Sequence, residues 1–135
     1  VPSLHHLALS ATDLAKSGPF YDAVLNLLGY RPGSTGDALR TWIGPDSAPE
    51  ILLWAAEGDD RSRHTHGRPG WQHAAMHVDD RATVDAVHAA VLAGGWTVVP
   101  APREYPGYAD DYYAVFITDP DGIRWEIAHI PTPTH

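Results

Sequence analysis

Two histidines each stand seven positions ahead of an aspartate across a mostly apolar segment: His6 before Asp13 and His73 before Asp80. Two glutamates recur as well, Glu50 and Glu126, each a few residues beyond an Asp/Pro turn. Imidazole with carboxylate is a usual ligand set for a divalent ion such as Zn, Ni, Mn or Fe, and coordination positions left to water or substrate make the ion a Lewis acid. Matching positions in two copies of one unit can converge about a pseudo-twofold axis. On that basis His6, His73 and Glu126 are assigned as metal ligands facing one cavity, with Glu50, matched to Glu126, as the fourth candidate. The chain has no cysteine, which excludes disulfides, thiolate ligands and cysteine nucleophiles.

The elements that must position these groups follow from periodicity. Ser3 to Ala11 alternates, with Leu7 and Leu9 on one face and His6, Ala8 and Ser10 on the other, which is the pattern of a half-buried strand. Thr12-Asp13 offers capping chemistry, and Gly18-Pro19 predicts a turn over 13–16 with the main helix from Ser17 to Leu28, closed by Gly29. Short strands follow at 30–33, 39–43 and 50–56. After an aperiodic stretch the order restarts: a strand from Trp71 to Val78, a helix opened by Asp80 with Val84, Val87 and Val91 inward, then Gly94-Gly95 and a strand over 96–99. A long Pro/Tyr-bearing loop covers 100–111, and Asp119-Pro120-Asp121-Gly122 joins two closing strands, 112–118 and 123–129, as a hairpin. The expected organisation is one domain over 1–135, with a first βαβββ module at about 1–57, a connector at about 58–69 and a second module at about 70–130.

A formal charge of −8 with nine Lys plus Arg argues against nucleic acid as a partner, because phosphate-backbone binding needs a basic surface. The longest apolar runs fall well short of the roughly 20 residues that a spanning helix requires. No membrane association and a cytoplasmic location are therefore expected.

The chain resembles the vicinal oxygen chelate superfamily, the group of glyoxalases, bleomycin resistance proteins and extradiol dioxygenases. The resemblance is carried by His6-Leu7-Ala8-Leu9 with Asp13-Leu14, Phe20-Tyr21, Leu28-Gly29-Tyr30, His73 with Val78-Asp79, and Asp119-Pro120-Asp121-Gly122-Ile123-Arg124-Trp125-Glu126. It implies an α+β fold of two tandem βαβββ modules forming a curved mixed sheet around a metal-binding cleft, and commonly a homodimer. Glyoxalase I has a glutamate where Glu50 is placed, whereas extradiol dioxygenases and fosfomycin-modifying enzymes use two histidines and one glutamate. Ser10 stands where bacterial glyoxalase I has a glutathione-binding arginine, Trp54 stands where it has an asparagine, and methylmalonyl-CoA epimerase has glutamine at the Glu50 position.

The leading expectation is a metal-dependent, glyoxalase-like enzyme of lyase or isomerase type. It would chelate vicinal oxygens of a small substrate and stabilise an enediolate-type intermediate, with Glu50 or Glu126 moving the proton. The alternatives are an Fe(II) extradiol dioxygenase and a non-catalytic antibiotic-binding resistance protein. His77, on the face of His73, is a candidate general acid or base or a cavity-lining residue. His5 is expected on the opposite face from His6, and His64 and His66 in the connector either bind metal as a pair or are solvated. Tyr105, Tyr108, Tyr112 and Tyr113 form either a lid or a packing cluster. Trp42 and Trp54 lie on strand faces consistent with the cavity and either shape an apolar pocket or serve core packing alone, and Arg124 either pairs with Glu126 or binds an anionic substrate.

Overall fold

The computed structural model describes residues 1–131 and divides the chain into two compact units, Val1–Arg63 and a second beginning at His64. His135 lies outside the described residues. Each unit is a βαβββ-type module with its own mixed sheet, so the protein is α+β with two sheets. Among the described residues no helix is long and apolar enough to cross a membrane.

In the first unit, alternation yields β1 (His6–Ala11), with Leu9 and Ala11 buried and His6, Ala8 and Ser10 exposed. Asp13 caps α1 (Leu14–Leu27) by accepting from the Ala15 amide at 2.9 Å. α1 is one continuous helix rather than a turn followed by a helix from Ser17, and Pro19 lies inside it. Proline forfeits the hydrogen bond to the carbonyl four residues back. Burial of Leu14, Phe20, Tyr21, Val24 and Leu25 outweighs that local penalty. Gly29, at φ 87°, takes the left-handed conformation that ends the helix.

Three strands complete the unit: β2 (Arg31–Thr35), β3 (Leu39–Ile43) and β4 (Glu50–Ala55), in the order β1-β4-β3-β2. β4 runs parallel to β1 and antiparallel to β3. Ile51 and Leu53 are fully buried, while Trp54 on the other face is 44% exposed. Trp42 does not share that open face. It is opposite Ile51 in the register, only 2% exposed, and its indole donates to Asp22 of α1 at 2.8 Å. Trp42 therefore belongs to the core.

The second unit repeats the plan. β5 (Ala74–Val78) starts three residues later than the hydrophobic pattern suggested, leaving His73 immediately before the strand. Asp80 caps α2 (Arg81–Ala93), whose Val84, Val87 and Val91 are completely buried. β6 (Thr97–Val98) and β7 (Arg103–Glu104) both pair with β8 (Tyr113–Thr118), so the supposed loop at 100–111 carries part of an interrupted edge strand. β8 and β9 (Arg124–His129) form the expected antiparallel hairpin, and β9 runs parallel to β5. The Asp119 carboxylate accepts from the Asp121 and Ile123 amides at 2.9 Å each, and Gly122 at φ 89° supplies the positive φ of the turn.

Candidate metal centre

In the second unit the hairpin and the parallel β5–β9 pair bring His73 and Glu126 together. Their separation is 3.1 Å from Nε2 to Oε1. Glu126 lies mid-strand and is 4% exposed. A carboxylate in that position needs partners for both oxygens. The second oxygen accepts a short hydrogen bond from the Tyr112 hydroxyl. Burial first, and then this bond to Glu126, hold the Tyr112 pKa well above its ordinary value, so the phenol stays protonated and acts as a donor.

The far side of His73 is equally organised. Gln72 donates from Nε2 to His66 Nε2 at 3.2 Å, which turns its Oε1 toward His73 to accept from Nδ1 at 2.5 Å. With Nδ1 turned to Gln72, Nε2 is the nitrogen that faces Glu126. The contact is closed either by a proton on Nε2 or by a cation held between the two groups. The 3.1 Å gap is also what two ligands would show if they shared one ion at bond lengths of about 2.1 Å. An outer hydrogen bond that fixes the ligand tautomer is a usual feature of metal-binding histidine. The donor set therefore fits a divalent metal.

Aromatic rings wall this pair on one side. Phe116 lies directly opposite Glu126 in the β8–β9 register and meets His73 edge-on at 5.4 Å. Tyr105 packs against Phe116 at 5.9 Å and stacks on Tyr108 at 5.5 Å, and Tyr112 meets Tyr105 and Tyr108 edge-on. Tyr113 lies apart, bonded to Asp85 of α2 at 2.6 Å.

In the first unit His6 and Glu50 are directly opposite in the parallel β1–β4 register. His6 is exposed and Glu50 half-buried. His5 does not stand apart from His6: their Nδ1 atoms are 2.8 Å apart, which leaves Nε2 of His6 as the nitrogen free to bind an ion. The structure also corrects the matching of the two glutamates. Glu126 is opposite Ala75, two residues past His73, whereas Glu50 is opposite His6 itself. Because His6 and His73 stand at the same distance from their helix-capping aspartates, the counterpart of Glu126 is Leu52, opposite Ala8, and the counterpart of Glu50 is Arg124.

Among the described residues no three His, Asp or Glu side chains gather in one ligand cluster; each unit by itself holds a His/Glu pair. His77 shares the face of Glu126, yet its Nε2 donates to the Ile130 carbonyl at 3.2 Å. His64 is fixed rather than solvated, its Nε2 bonding the Trp71 carbonyl at 2.7 Å. Sequence reasoning missed Gln72 and the contact of Tyr112 with Glu126. Gln72 is visible only as the neighbour of His73, and Tyr112 becomes assignable once the hairpin register is counted back from Phe116.

A family model described as the Glyoxalase/Bleomycin resistance protein/Dioxygenase superfamily matches residues 3–127. The chain is 29% identical over 124 residues to YqjT of Bacillus subtilis (strain 168), covering 92% of this chain and 96% of that one. A solved glyoxalase/bleomycin resistance protein from Albidiferax ferrireducens T118 is 27% identical, with a TM-score of 0.75 over 95% of this chain and 98% of its own. The glyoxylase/bleomycin resistance protein/dioxygenase domain from Frankia sp. EAN1pec shares the fold at a TM-score of 0.77 and 20% identity, over 96% and 98% of the two chains.

Proposed function

Since this chain belongs to the glyoxalase/bleomycin resistance protein/dioxygenase superfamily, we propose that it is a metal-dependent, glyoxalase-like enzyme of lyase or isomerase type acting on a small molecule with adjacent oxygens. The observation that carries the reading is the buried Glu126 facing His73 across 3.1 Å, with Tyr112 and Gln72 behind them. His73 and Glu126 would hold the ion, and His6 is proposed as a ligand as well. When bound, such an ion would supply Lewis-acid chemistry toward a substrate with adjacent oxygens.

The proton work falls to the chain. Both oxygens of Glu126 are engaged, one by His73 and one by Tyr112, so Glu126 acts as a ligand and not as the base. Glu50, opposite His6 and half-exposed, is the carboxylate free to take the proton. His77, tied to a backbone carbonyl, serves as a contact beside the centre. A homodimer, the arrangement the family resemblance implies, is part of the same proposal and is read by light scattering.

Metal analysis of protein purified without chelators tests the reading. Wild type is expected to carry about one divalent ion per chain, and His73→Ala to lose it, since removing one ligand of a three-ligand site opens the coordination shell. Wild type free of metal, or His73→Ala retaining its full content, would sink the proposal. One observation favours a second reading: with Leu52 as the counterpart of Glu126, the matched ligands reduce to two histidines and one carboxylate, the set of non-haem Fe(II) oxygenases. Oxygen uptake with catechol after anaerobic iron loading distinguishes an extradiol dioxygenase from the non-redox enzyme.

A further inference from the structure

Arg124 opens β9, and strand alternation places its side chain on the face of Glu126, two residues away, or about 7 Å along the strand. It is half-buried, and its Nε is shielded from solvent without a hydrogen-bond partner. Its backbone carbonyl is spent on the Trp71 indole at 2.8 Å. The guanidinium, in contrast, has no carboxylate and no aromatic ring among the described residues. Glu126, the nearest acid on that face, is already held by His73 and Tyr112. Acids outnumber Lys and Arg by 17 to 9 in this chain, so an arginine left unpaired beside the candidate centre is a group reserved for another anion.

The layout along the hairpin indicates which anion. Glu126 is opposite Phe116, while Arg124 is opposite Thr118 at the turn end. The tyrosines pack at the other end, where Tyr105 and Tyr112 flank the start of β8. The His73/Glu126 pair thus has a ring wall on one side and a lone guanidinium on the other. A planar guanidinium fork matches a planar carboxylate through two parallel N–H···O bonds.

We propose that Arg124 is a specificity-determining residue that clamps a carboxylate of the substrate, so that the substrate class is a carboxylate-bearing molecule, its carboxylate set apart from the two adjacent oxygens that reach the ion. This deepens the metalloenzyme reading and rests on it for the position of those oxygens.

Three probes separate the two ideas on full-length, zinc-loaded protein, with binding followed by tryptophan fluorescence. Catechol offers adjacent oxygens and no carboxylate, benzoate offers the reverse, and 3,4-dihydroxybenzoate offers both on one rigid ring. Wild type is expected to bind 3,4-dihydroxybenzoate more tightly than catechol. Arg124→Gln should weaken 3,4-dihydroxybenzoate and benzoate by about 10- to 100-fold, the effect of a charge-assisted hydrogen-bonded pair, and leave catechol binding and zinc content unchanged. Arg124→Lys, which keeps the charge and loses the fork, should fall between the two and guards against misreading a folding defect. Carboxylate probes that bind Arg124→Gln as they bind wild type, or that bind neither, overturn the proposal. Failure of catechol alone, with benzoate still dependent on Arg124, would instead sink the metal reading and leave the carboxylate clamp standing.

Discussion

The two units answer one plan with different chemistry. Each places a histidine ahead of its first strand's helix-capping aspartate and a mixed sheet beside its helix. In the second unit the histidine touches a buried carboxylate, and each member of the pair has a further partner behind it. In the first unit the histidine is exposed, its other nitrogen meets His5, and the position matching the buried carboxylate is Leu52. A duplicated module thus reproduces the backbone frame faithfully, while one side-chain exchange on the same strand face decides whether a copy builds a buried, bonded His/Glu pair. The bonding differs for a physical reason: Glu126 is shut away from water and must be fully bonded, whereas Glu50 is partly solvated and need not be.

The comparison breaks most sharply if Glu50 and Leu52 exchange importance. Leu52→Glu would give the first unit the carboxylate that its register lacks, and it is expected to tighten zinc binding on the order of tenfold, or about 1.4 kcal/mol. Glu50→Ala, in contrast, should change zinc affinity less than about twofold while abolishing any turnover that depends on it as base. Competition titration against a chromophoric chelator reads both. Zinc lost from Glu50→Ala would make Glu50 a ligand and overturn the distinction drawn between the two glutamates.

Much of this frame was legible in the residue pattern, because strand alternation and helical spacing are local. β1, α2 and the closing hairpin follow from Leu7/Leu9, from Val84/Val87/Val91 and from Asp119 to Gly122. What failed was non-local. Glu50 and Leu52 share strand parity, so no periodicity can say which one corresponds to Glu126; only the pairing of β4 with β1 does. Trp42 stayed open between pocket and core for a similar reason, since its face depends on the strand it pairs with, and α1 ran through Pro19 because packing of the whole helix exceeded one lost hydrogen bond. Gln72 and Tyr112 support the centre through side-chain contacts that cross the fold, which spacing alone does not encode.

An effect of similar size tests whether the second unit's pair owes its order to its supports. Tyr112→Phe keeps the ring against Tyr105 and Tyr108 and removes only the donor to Glu126. Zinc affinity should fall about 10-fold, as for other losses of an outer-shell partner. The metal-free protein should lose about 1–3 kcal/mol in urea unfolding, because a buried carboxylate oxygen is left without its bond. Unchanged zinc affinity would mean that Glu126 is held by its strand alone.

The smallest expected effect lies at the helix caps, where the units again differ. Asp80 accepts from both the amide and the hydroxyl of Thr83 at 2.7 Å, whereas Asp13 accepts from the Ala15 amide at 2.9 Å. Those bonds to Thr83 lower the Asp80 pKa below its ordinary 3.8. A carboxylate whose pKa is depressed by folding stabilises fully above its unfolded value and loses that contribution as pH falls through the folded one. Asp80→Ala should therefore lower the thermal midpoint more than Asp13→Ala near neutral pH, and the difference between Asp80→Ala and wild type should shrink once the solution is more acidic than 3.8. Asp80→Asn retains an accepting oxygen without the charge, so it should stay near wild type and show no such acid dependence. Equal shifts for the two alanine variants would show that the hydroxyl of Thr83 adds nothing to the cap, and that the second helix owes its order to its three buried valines.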